Sequence, residues 1–210
     1  NRGRGHFHQG SEGALELGHD GDVTGGAGGA QLGPGLRLVD RVTGDAADLV
    51  SGVAGLDAVR QDTLPYVPRT HWARWTTALK REYPHLTILG EMWDGKPEMV
   101  SFFQGGRARF DGVDSGIDTL FDFPLFYALR DVFAKGQPAT RLAQALSADT
   151  NYVNPRVLVT FLGLHDTPRF LNEPGATIDG LKLAFTFLLT ARGTPLIYYG
   201  DEIALRGGGD

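Results

Sequence analysis

From Gly55 onward the chain repeats one pattern: a short apolar run, a loop, then an amphipathic helical segment. No other feature restricts the fold as tightly. Strands that alternate with helices pair in parallel and are covered by the helices that connect them. The first strand lies within residues 55–65. At a period of two, Ala58, Arg60 and Asp62 share one face, and Asp57, Val59 and Gln61 the other. Residues 70–83 follow as a helix, with Trp72, Trp75, Leu79 and Tyr83 along one stripe and Pro84 beyond the stop. Residues 86–91 are apolar on both faces and end in Glu91, as a buried parallel strand does. A helix over 97–104 opens at Pro97 and closes before Gly105. The strand at 117–123 leads into a helix over 124–135 that Gly136 terminates. A helical piece at 141–146, a strand at 157–162, an apolar helix at 177–190 and a strand at 195–199 complete the series.

In sheets of this kind the chemistry sits beyond the carboxyl ends of the strands. Three of those ends carry an acid: Asp62, Glu91 and Asp166. Asp62 shares its strand face with Arg60, whose guanidinium would hold the carboxylate ionised. Taken alone, that pair reads equally as a positioned nucleophile or as an ordinary ion pair at a strand end. Three acids on successive units tip the balance, because clustered like charges cost stability. Asp201 and Glu202 follow a further strand, and we read them as structural.

Two carboxyls flanking a glycosidic bond are the minimum that hydrolysis of that bond requires. Asp62 beside Arg60 suits the attacking, ionised role. Glu91 has no basic neighbour within four residues and lies among Leu89, Met92 and Trp93. An apolar setting would keep it protonated as the acid. Asp166 could bind sugar hydroxyls or stabilise positive charge, with His165 hydrogen-bonded beside it. A metal site is the competing use of three acids, but close-spaced ligand motifs are absent and none is expected. No phosphate-binding loop of the usual spacing is present.

The first 55 residues differ in kind: they hold half of the 30 glycines and a single aromatic, Phe7. Residues 25–30 have no periodicity and are costly to order. Two readings stand for residues 1–54, a flexible glycine-rich leader or a stretch translated out of frame. The abruptness of the change favours the second. His6, His8 and His19 are read as loose surface histidines. The formal net charge of -5 argues against a nucleic-acid partner. No run approaches a membrane span, and no signal-peptide layout opens the chain. Localisation stays open on these grounds, with the cytoplasm favoured. With no cysteine, the redox compartment is open too.

These residues together resemble the α-amylase family of glycoside hydrolases. A motif of the form Gly-x-Asp-x-x-Arg-x-Asp is matched by Gly55, Asp57, Arg60 and Asp62. Gly90-Glu91 followed by Trp93 matches the next. Phe161 to Asp166 match a motif ending in His-Asp, and Gly193 to Glu202 the closing one. The loop wording around Asp62 and Asp122 is nearer to bacterial amylases and cyclomaltodextrinase- or neopullulanase-like members. The resemblance implies an α/β chain that is a partial (β/α)8 TIM barrel over about strands 4 to 8, in residues 55–210. It implies Asp62 as nucleophile, Glu91 as general acid/base and Asp166 as transition-state stabiliser, with Arg60 and His165 positioning substrate and charge. It further implies retaining hydrolysis of α-1,4-linked glucans or malto-oligosaccharides. An inactive carbohydrate- or protein-binding fragment, or a transglycosylase or isomerase on α-glucosides, is the alternative.

The family's Asp-x-x-x-Asn-His motif is absent, and its place falls in the glycine-rich stretch. A whole barrel takes about 250 residues. The sequence therefore reads as half a barrel with an exposed sheet edge, expected to need a complementary half-barrel or to self-associate. Calcium is common in the family, but no site and no cofactor is expected here.

Overall fold

The computed structural model describes residues 38–40 and 56–207, Arg109 excepted. Gly55, the rest of the segment 1–54 and the three histidines within it lie outside the described residues, and so does the choice between a leader and an out-of-frame stretch. Among the described residues there are six strands: β1 (Leu38–Asp40), β2 (Ala58–Gln61), β3 (Thr87–Gly90), β4 (Thr119–Leu120), β5 (Val159–Phe161) and β6 (Thr194–Leu196). Five helices connect or flank them: α1 (Arg69–Glu82), α2 (Pro97–Phe102), α3 (Phe123–Phe133), α4 (Thr140–Ser147) and α5 (Ile178–Thr190).

Strands β1 to β4 form one parallel sheet in sequential order, and β5 pairs with β6 in parallel. A parallel bridge from Phe121 to Val159 joins the two, with Asp122 N donating to Val159 O at 2.8 Å. The wall is thus a six-stranded parallel arc in chain order, which is how consecutive βα units close toward a barrel. The register pairs Leu38 with Ala58, Ala58 with Thr87 and Leu89 with Thr119. Strand β1 comes from the glycine-rich segment, where the sequence pattern gave no strand.

Alternation along the strands sorts the core into layers. Val59, Ile88 and Leu120 pack outward with Trp72 and Leu79 of α1. Leu89, Phe121, Val159, Phe161 and Leu196 pack inward with Phe123 and Phe126. The ring of Phe161 stacks on Phe126 at 4.7 Å and meets Phe123 and Phe121 edge-on at 5.2 and 5.6 Å. Such pairs add to the stabilisation that burial of the rings provides. A third cluster, including Leu129, Leu181, Ala184 and Leu188, joins α3 to α5.

Asp122 ties the halves of the arc together. Its Oδ1 caps α3 by accepting from Leu125 N at 3.1 Å, and its Oδ2 pairs with Arg192 Nη1. Arg192 also donates from Nε to both oxygens of Asp149, at 2.9 and 2.8 Å. The expected strands and helices are present, with shifted ends. The expected strand at 157–162 starts late because Pro155–Val157 is a turn that Asn154 caps. The one at 195–199 stops at Leu196, before the chain turns at Tyr199 and Gly200. Among the described residues no helix is long and apolar enough to cross a membrane. Because Phe161 is wholly buried at the centre of the inner cluster, Phe161→Ala should cost about 3–5 kcal/mol. Urea denaturation reads this directly.

Candidate active site

Asp62 directly follows β2, Glu91 directly follows β3 and Asp166 lies in the loop after β5. Parallel strands bring these three ends to one rim. At their centre is Arg60. Its Nη2 lies 2.8 Å from Glu91 Oε1, 3.6 Å from Asp62 Oδ1 and 3.8 Å from Asp166 Oδ2. The side chains of Arg60 and Glu91 are each 6% exposed, whereas those of Asp62 and Asp166 are 23% and 42% exposed. His165 Nε2 stands 3.0 Å from Asp166 Oδ2. The structure therefore brings all five residues picked out by the sequence into one cluster.

Two details differ from the sequence reading. Of the three acids, Arg60 stands nearest to Glu91 on the neighbouring strand and not to Asp62 on its own. Glu91 is therefore not without a basic partner, a fact that spacing along one chain conceals. Its carboxyl is nevertheless pushed up to about 7, first by burial and then by a hydrogen bond with Asp62. The Arg60 charge and the Thr63 N–H pull the other way without prevailing. The upward shift expected of Glu91 is thus present, but it arises from desolvation against an adjacent cation.

The turn that presents Asp62 carries signals the sequence did not announce. Thr63 has φ +55°, a left-handed conformation that β-branched residues seldom adopt. Its N–H faces Glu91 Oε2 at 3.5 Å. Leu64 then tucks under Gly90, where a Cβ would come within 2.4 Å of Leu64 Cδ1. Leu64 O accepts from Trp72 Nε1 at 2.9 Å, and Leu64 N donates to Glu91 O at 3.1 Å. Gly90 is the one readable trace of this packing, since only a residue without a side chain admits Leu64 there. Trp93 stacks on Phe123 with centroids 5.0 Å apart and donates to Tyr127 Oη at 2.8 Å. Asp201 is buried beside Arg169, and Glu202 is exposed. Among the described residues, no group of three or more His, Asp and Glu side chains is arranged to hold a metal ion.

Comparison with known proteins agrees with this geometry. The family model for the α-amylase catalytic domain matches residues 48–208. A β/α-amylase of Paenibacillus polymyxa is 33% identical over 163 residues, 74% of this chain and 12% of its own length. A cyclomaltodextrinase of Geobacillus thermopakistaniensis is 33% identical over 160 residues, 74% of this chain and 25% of its own length. Among solved structures, an α-amylase of Anoxybacillus superposes with a TM-score of 0.71 at 32% identity, over 79% of this chain and 36% of that one. The chain belongs to the α-amylase family of glycoside hydrolases. Its described arc is part of the TIM barrel of that family, and it spans a quarter or less of these two curated relatives.

The Glu91 proton couples folding to pH. The folded protein holds it up to about pH 7, whereas the unfolded chain releases it near 4.5. Between those values the folded state binds the extra proton, so stability falls as pH rises and levels off above 7. Relative to Glu91→Gln, the wild type should lose about 3 kcal/mol across that window. Parallel denaturation curves at pH 4 and pH 8 measure the difference.

Proposed function

We propose that the chain carries the catalytic residues of a retaining glycoside hydrolase acting on α-1,4-linked glucans or malto-oligosaccharides. The observation that carries this reading is that Asp62 and Glu91 stand close enough to share a hydrogen bond while Arg60 contacts both. Inverting enzymes keep their carboxyls about 6.5–9.5 Å apart to admit a water, and retaining ones only about 5–5.5 Å. Two carboxyls in hydrogen-bonding contact lie toward the short-separation side, which favours the retaining arrangement. A sugar entering the site would break their contact and lie against both.

The roles follow from environment. Asp62, more exposed and beside Arg60, attacks the anomeric carbon. Glu91, protonated by burial, gives its proton to the leaving oxygen and then takes one from the incoming water. Asp166, accessible and close to both Arg60 and His165, faces the positive charge that develops on the sugar ring. Arg60, already hydrogen-bonded to Glu91, offsets the negative charge left there when Glu91 gives up its proton. The substrate class is supported by the family match and by relatives named as amylase and cyclomaltodextrinase.

The test is incubation of the chain with malto-oligosaccharides, followed by proton NMR of the newly formed anomer. Retention of the α-configuration is expected. Asp62→Asn should lower turnover at least about a thousandfold while leaving sugar binding measurable. Formation of the β-anomer would overturn the retaining assignment. Sugar binding by the wild type without any cleavage would replace catalysis with a binding role.

A further inference from the structure

Few contacts of its own side chain hold Asp166 in place. The carboxylate meets His165 at 3.0 Å and Arg60 at 3.8 Å, on a side chain that is 42% exposed. Its position is therefore set by the backbone of the loop after β5, and that loop is fastened from outside the acid cluster. Thr167 Oγ1 accepts from Leu164 N at 2.8 Å and donates back to Leu164 O at 3.1 Å, closing the turn that contains His165 and Asp166. Pro168 O accepts from Arg130 Nη2. Arg169 then leaves the loop and crosses to the turn that follows β6.

The seat of Arg169 is specific. Its guanidinium lies 4.6 Å from the ring centre of Tyr198 and 4.7 Å from that of Tyr199. Nη1 donates to Tyr199 O and reaches Asp201 Oδ1 at 3.4 Å. The backbone turns tightly beside it: Gly200 has φ +86°, and a Cβ there would sit 2.8 Å from Leu205 Cδ2 and 3.2 Å from Arg169 Nη1. On the other side, a Cβ on Gly163 would lie 3.7 Å from both Asp201 Oδ2 and Thr167 Oγ1. The Asp201 carboxylate therefore lies against the same turn that Thr167 closes. Charge, hydrogen bonds and two aromatic faces converge on one cation three residues from Asp166.

We propose that Arg169 is a positioning residue for Asp166, clamping the loop that bears His165 and Asp166 to the turn Tyr198–Asp201. The importance of that position rests on the role assigned above to Asp166, but the clamp itself is testable without turnover. A lysine cannot replace it, since an ammonium has no planar face for two rings and no fork to serve a carbonyl and a carboxylate together.

The experiment is NMR of the histidine-labelled chain, with the His165 ring signals assigned by their loss in His165→Gln. Arg169→Met should shift the His165 signals and leave those of His71 and His85 in place, and Arg169→Lys should fail to restore them. Tyr199→Ala removes one ring of the clamp at a side that is 67% exposed. It should give a smaller shift in the same direction, and it decides the matter if Arg169→Met does not fold. His165 signals unmoved in every folded variant would overturn the clamp. Full turnover by Asp166→Asn would instead sink the role of Asp166 and leave the NMR result standing.

Discussion

One buried guanidinium sets the electrostatics on which the site depends. Arg60 lies over the ring of Phe121, with its charge centre 5.6 Å from the centroid, and faces three carboxyls from three different strand ends. A cation so buried is tolerable only with such partners, and the acids could not gather without it. Burial, with the hydrogen bond to Asp62, holds a proton on Glu91 against that adjacent cation.

Arginine also supplies much of the loop structure around the site. Arg69, Arg130, Arg169 and Arg192 are each hydrogen-bonded across the fold to backbone carbonyls or carboxylates. Arg69 is typical: it bonds Val113 O at 2.7 Å and Asp111 Oδ2 at 2.6 Å while covering Phe102. Loops at a barrel rim have little apolar surface to bury. A planar cation that serves several acceptors and rests on a ring gives them order by another route. The strands below are held by aliphatic and aromatic packing, so the molecule uses two cohesive forces at two levels.

Much of this was legible in the sequence because its signals are local. Period-two alternation placed Arg60 and Asp62 on one strand face, and the acids fell at strand ends in the same frame. Partnerships across strands were not legible. The contact of Arg60 with Glu91 depends on register, which no window of the chain contains. Thr63 gave no hint of its left-handed backbone, since threonine ordinarily avoids it and the packing of Leu64 beneath Gly90 imposes it. Arg169 carries no local signal, because its seat on the turn after β6 is distant in sequence. Strand β1 was hidden by the glycine-rich composition around Leu38–Asp40, where pairing with β2 outweighs weak local preference.

The strained turn at Thr63 has an evolutionary reading. A non-glycine residue held in this region carries a local penalty of about 1–3 kcal/mol, maintained by its surroundings. Selection for robustness alone would drift this position toward glycine or asparagine, which occupy such backbone readily. A threonine immediately after Asp62 keeps the turn stiffer than a glycine would. Among variants enriched purely for heat tolerance, position 63 is therefore where gains in stability and losses in function should first be found together.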